Sequence, residues 1–122
     1  MSKLYYFKFY TLIAAFSFLL LAYNSKNKPI PKDIIQPEKM TLILSDVQII
    51  EATLLHIQQK DENPNNYKKN LYDLLFLKHN ITKELLDTSI NYYANNNITA
   101  LDKIYADVIT NLSQKQSIIN NQ

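Results

Sequence analysis

Residues 37–59 read PEKMTLILSDVQIIEATLLHIQQ. Within them Met40, Ile43, Leu44, Val47, Ile50, Leu54 and Ile57 recur at spacings of three and four, which places them on one side of a helix. Pro37 suits the first helical position, where its missing N–H costs nothing, and Glu38 lies where the positive end of the helix dipole favours a carboxylate. The spacing therefore predicts a helix from Pro37 to Gln59. A helix with one apolar face has to cover that face, and the partners must come from the rest of the chain.

Lys60 to Asn66, with Pro64 inside, interrupts the pattern as a loop. The face Tyr67, Leu71, Leu74, Leu75 and Lys78 then predicts a second helix ending near His79, with Asn80 just beyond it. Thr82 is placed to cap a third helix, and Ile81 and Leu86 sit on either side of it as a hydrophobic staple. The third helix carries Leu86, Ile90 and Tyr93 and stops at Asn95, Asn96 and Asn97. Thr99 followed by Asp102 resembles a capping box opening a fourth helix, whose stripe is Leu101, Ile104, Tyr105, Val108 and Leu112. Residues 113–122 are polar apart from Ile118 and Ile119 and are expected to fray. The fold class expected is all-α: a small bundle of about four short helices over residues 37–112, behind an N-terminal signal or anchor helix.

The chain has 122 residues and contains no Cys, no Gly and no Arg. Zero Cys removes disulfides, thiolate metal sites and cysteine nucleophiles, so helix packing must hold the domain together. Zero Gly leaves the left-handed conformations that end helices to other residues, and fourteen Asn are available, with Asn63, Asn80 and the Asn95 to Asn97 run falling where helices should stop. The overall charge of +2 is unevenly spread: residues 1–32 carry five Lys and no acid, whereas eight Lys against eleven Asp and Glu leave residues 33–122 at −3. A mildly acidic domain without Arg argues against nucleic acid as a partner.

Residues 1–23 are apolar behind Lys3 and Lys8, and the uninterrupted part from Phe9 to Tyr23 has the length of a signal-peptide core. At ~1.5 Å per residue that part spans about 22 Å, short of a ~30 Å hydrocarbon layer, while counting from Leu4 just reaches it. Cleaved signal and retained membrane anchor both stay open. Leu20 at the −3 position of a cut after Ala22 is poor for an ordinary signal peptidase, which favours retention. Leu20, Leu21 and Ala22 are also what a bacterial lipoprotein signal carries before its lipidated cysteine, but Tyr23 occupies that position and a phenol cannot form the thioether. Residues 24–36 are polar, contain Pro29 and Pro31, and read as a flexible tether.

Several segments together resemble a family of small exported Bacteroidota lipoproteins catalogued as domain of unknown function 4296. They are Pro37 to Met40, Ile43 to Asp46 through Glu51 and Ala52, Phe76 to Thr82, Asp87 to Ser89 with Tyr92 and Tyr93, and Ile104 and Tyr105 with Val108, covering residues 29–112 in order. The resemblance implies an exported, membrane-tethered helical protein and brings no activity with it. It also implies that Tyr23 stands at a lost lipidation position, and that Asn80 stands where the family usually has Gly.

Candidate chemistry is sparse. Glu51 and His56 are five residues apart, as are Asp46 and Glu51, so on one helix neither pair shares a face and no metal site is assigned. His79 is expected to satisfy terminal carbonyls of the second helix. Glu84 and Asp87 lie near a helix N-terminus, where the dipole favours them. No catalytic residue and no cofactor is assigned. Tyr92 and Tyr93 point about 100° apart on a helix, so one should sit at the core's rim, and the pair is the candidate interaction surface. The expectation is a non-enzymatic protein of the cell envelope, facing the periplasm and held at the inner membrane if the leader is uncleaved, with an envelope protein as partner. A client-holding chaperone-like module is the first alternative, and an enzyme built from Asp46, Glu51, His56 or His79 the second.

Overall fold

The stripe of residues 37–59 becomes the central helix of an all-α bundle. The computed structural model describes Lys3, Tyr6 and residues 28–121. Apart from those two residues, the expectations for the leader, including Tyr23, and for the start of the tether lie outside the described residues. Four helices follow in order: α1 Pro37–Gln59, α2 Asn65–His79, α3 Lys83–Asn96 and α4 Ile98–Asn120.

Met40 and Ile43 are completely buried on α1, and Leu44, Ile50 and Leu54 are buried beside them. Val47 and Ile57, from the same stripe, are half-buried. Helix α4 supplies Leu101, Ile104 and Val108 to the same core, and α1 and α4 form the most extensive helix pair. The two run side by side in the same direction: Pro37 and Glu38 lie with Asn97 and Ala100 at one end, and Asp46 reaches Lys115 farther along. Helix α2 runs against α1 in the opposite sense, since Asp46 meets His79 and Glu51 meets Tyr72. Among the described residues α1 is also the one helix long and apolar enough to cross a membrane by length and composition. Here its stripe is covered by α2 and α4, while Leu42, Ile49 and Leu55 on the same helix stay exposed.

Helix ends obey the no-glycine constraint in ways the sequence only partly predicts. Asn80 adopts φ 49°, and the amides of Asn80 and Ile81 donate to the carbonyls of Leu77 and Phe76, a Schellman closure of α2. Helix α1 closes by the same pattern, but the left-handed residue is Asp61 at φ 59°, not Asn63. Asn63 instead uses its side chain to accept from the amide of Asn65 at the start of α2. The cap expected at Thr82 is present, its side chain accepting from the amide of Leu85. The cap expected at Thr99 is not: α4 starts one residue after Asn97, whose Oδ1 accepts from the amide of Ala100. Asn97 thus ends α3 and opens α4 with its side chain, at an extended φ of −151°.

Two boundaries move. Helix α4 continues through the segment expected to fray, to Asn120. Leu112 and Asn111 are still half-buried, and Lys115 pairs with Asp46, which ties that extension to α1. At the other end, the last part of the expected tether is structural. Ile34 and Ile35 are buried in the core, which is worth ~1.5–3 kcal/mol for each such side chain.

Candidate functional site

The strap formed by residues 31–36 positions the first polar constellation. The amide of Ile35 donates to Ser89 Oγ at 3.0 Å, and the hydroxyl of Tyr93 donates to the carbonyl of Ile35 at 2.7 Å. Ser89 and Tyr93 lie four residues apart on α3 and are both completely buried. One residue of the strap therefore has both its backbone groups satisfied by one face of α3, which removes the cost of burying them. The side chain of Gln36 donates to the carbonyls of Pro31 and Ile34 and closes the strap on itself.

This arrangement divides the tyrosine pair expected at a surface. Tyr93 is interior and takes no part in a surface, because its hydroxyl finds a protein carbonyl in place of water. Burial, with Tyr92 and Glu38 nearby, pushes its phenol above the ordinary value. Tyr92 is half-buried at the rim and packs edge-on against Tyr93, with ring centroids 5.6 Å apart.

The second constellation is a carboxylate node on α1. Asp46 Oδ2 accepts from Lys78 Nζ and meets His79 Nε2, both at 2.7 Å, and Oδ1 lies 3.7 Å from Lys115 Nζ. Three helices converge on one carboxylate. Partial burial opposes its ionisation, but the hydrogen bonds from Lys78 and His79 and the charges of Lys78 and Lys115 outweigh that, so its pKa is held below the usual value. His79 does not cap α2 as the sequence suggested: its ring turns to Asp46, while the end of α2 is closed by backbone amides.

Glu51 and His56 stand apart from this node. Glu51 accepts from the hydroxyl of Tyr72 on α2, and burial together with that carboxylate pushes the Tyr72 phenol up to about 12. His56 is exposed. Chemically, an Asp and His pair is half of a proton-transfer site, which needs a nucleophile or substrate within reach of the imidazole. Ser45, next to Asp46 in the chain, is turned inward to the carbonyl of Thr41, and Ser89 serves the strap. Among the described residues no three His, Asp or Glu side chains are grouped to hold a metal ion. What the node does in this geometry is join α1, α2 and α4.

The signal for these contacts was thin in the sequence. Ser89 interrupts an apolar stripe as any helical serine might, and the Asp46 to His79 contact joins residues 33 apart. The one local signal is the spacing of Ser89, four residues before Tyr93 and three after Leu86, which puts it on the apolar stripe of α3.

These features define an all-α bundle closed by an N-terminal strap and stapled by a carboxylate shared among three helices. The chain belongs to the family described as Domain of unknown function (DUF4296), which it matches over residues 31–118. That span begins at the strap and includes the part of α4 that carries Lys115. No curated protein and no solved structure matches the chain.

Proposed function

We propose that this protein is a membrane-tethered, extracytoplasmic helical protein of the bacterial cell envelope that acts by contacting another envelope protein, without catalysing a reaction or binding nucleic acid. The observation that carries this reading is the set of large apolar side chains that the helices leave in solvent. Leu74 and Leu77 on α2 are 62% and 78% exposed, and Ile109 and Ile118 on α4 are 66% and 60% exposed. Side chains of this kind that do not serve the fold are suited to a partner surface. The polar constellations support the same reading, because Asp46, His79, Ser89 and Tyr93 are engaged in joining the chain's own elements. The exported-lipoprotein character implied by the Bacteroidota resemblance belongs to this proposal, with Tyr23 replacing the lipid-bearing cysteine.

Two measurements test it. An epitope placed after Ser25 should be cleaved by protease added to intact spheroplasts, and protection would reverse the topology. A photo-crosslinking residue at Leu77 or Ile109 should join the protein to a discrete partner in living cells. Crosslinks to lipid alone would remove the protein-contact role, and crosslinks to a broad set of unfolded outer-membrane proteins would assign client holding instead.

A further inference from the structure

Helices α2 and α3 diverge from the sharp turn at Asn80 to Thr82 and leave between them an open groove of about 380 Å³. Its floor is Tyr72, Phe76 and Leu86, and its rim is Lys68, Lys69 and Lys83. The floor is held in place before any ligand arrives: the Tyr72 hydroxyl is anchored on Glu51, and the Tyr72 and Phe76 rings pack 6.1 Å apart at a 44° tilt. Part of the rim is held too, with Lys69 paired to Asp73 and Lys83 paired to Asp87. Lys68 has no ion-pair partner among the described residues.

The charge balance here is opposite to that of the domain. Residues 33–122 carry eight Lys and eleven acids, yet three of those Lys line this one groove, and with Asp73 and Asp87 paired to Lys69 and Lys83 the rim keeps an excess of one positive charge, that of Lys68. An apolar slot rimmed by cations on an otherwise acidic surface selects a ligand that is apolar in the middle and anionic at its edges. Because the groove lies open between two helices, it does not enclose a small molecule as ligand pockets do. A polypeptide segment lying along it meets both demands, with a bulky side chain inserted as anchor and carboxylates on either side reaching the lysines.

We propose that the α2/α3 groove is the docking site for an acidic partner segment, in which an aromatic or large aliphatic residue is flanked by Asp or Glu. The inference rests on the protein-contact reading above and names the chemistry of the contact. It also moves the interaction surface from the Tyr92 and Tyr93 pair to Tyr72, Phe76 and the three lysines.

The test uses the full-length chain in phosphatidylcholine nanodiscs and a fluorescein-labelled decapeptide carrying one Phe between runs of Glu. Saturable binding that weakens with added salt is expected, together with an approximately tenfold loss when Phe in the peptide becomes Ala. The double variant Lys68→Glu, Lys83→Glu should lose about tenfold as well, and both residues are exposed, so an unchanged helical circular dichroism signal verifies the fold. A peptide with Lys in place of Glu should bind the double variant better than the parent chain. The proposal is overturned if the Glu and Lys peptides bind the parent equally or if the double variant binds the Glu peptide unchanged. It is equally overturned if nanodiscs containing phosphatidylglycerol abolish peptide binding, since the groove would then face anionic lipid. Failure here with discrete crosslinks still formed at Leu77 or Ile109 would discard the groove and leave the protein-contact reading standing.

Discussion

The hydroxyl of Tyr93 donates to the carbonyl of Ile35, 58 positions earlier in the chain, at a site from which water is excluded. Four residues before Tyr93, Ser89 accepts from the amide of the same Ile35. Two side chains on one turn of α3 thus substitute for the pairing that a strand or helix would give an isolated backbone unit.

Removing one partner leaves a buried polar group unpaired, which costs more than the hydrogen bond contributes. Tyr93→Phe should therefore lower stability by about 1–3 kcal/mol, and Ser89→Ala by a similar amount. Tyr93→Ala adds a cavity and should cost about 3–5 kcal/mol, whereas Tyr92→Ala at the rim should cost clearly less. Urea unfolding followed by circular dichroism ranks the four variants, and equal effects for Tyr92→Ala and Tyr93→Ala would contradict the buried position of Tyr93.

Asp46 carries a pH dependence of definite sign. Its folded-state pKa lies below the ordinary value of 3.8, so over the interval between the two the unfolded chain binds the extra proton. The stabilisation is complete above that interval and is lost as the pH falls through the folded value. Asp46→Asn should cost about 1–2 kcal/mol near neutral pH, because it removes a charged partner from Lys78 and His79. The variant should also show a shallower loss of stability below pH 3.8 than the parent, measured as the thermal midpoint across acid buffers.

The start of α4 discriminates between two caps. Asn97→Ala should destabilise by about 0.5–2 kcal/mol, because the amide of Ala100 loses its acceptor. Thr99→Ala should stay within about 0.5 kcal/mol, as an exposed residue past the cap. A larger loss at Thr99 would restore the capping box that the sequence pattern suggested.

Asn80 and Asp61 occupy left-handed backbone that glycine enters without strain. Asn80→Ala keeps the Cβ but loses the polar group that lets Asn enter this region, whereas Asn80→Gly removes the Cβ clash, so Ala should cost about 1 kcal/mol more than Gly. Asp61→Ala and Asp61→Gly should separate in the same order. Thermal midpoints of the four variants provide the comparison, with failure of both pairs to separate arguing against left-handed closure of α1 and α2.

Much of the architecture follows from local rules. The repeat of Met40, Ile43, Leu44, Ile50 and Leu54 fixes α1 from Pro37 to Gln59, because helical periodicity depends only on the spacing of apolar residues along the chain. The stop at Asn80 and the cap at Thr82 are local as well, each set by the conformational freedom or hydrogen-bonding reach of one side chain. The amino-acid order by itself determined a four-helix protein, its family and the sharp turn between α2 and α3. Tertiary structure decided what those helices do to one another. The sequence could not place Ile35 against Ser89 and Tyr93, nor Asp46 among Lys78, His79 and Lys115, since these contacts join residues from 32 to 69 positions apart. It could not tell that Leu75 would be buried while Leu74 stayed 62% exposed, because both lie on the apolar side of α2 and only the position of α1 separates them. A lysine's charge is likewise legible from its letter alone, but the gathering of Lys68, Lys69 and Lys83 around Tyr72 and Phe76 depends on the angle at which α3 leaves the turn after α2.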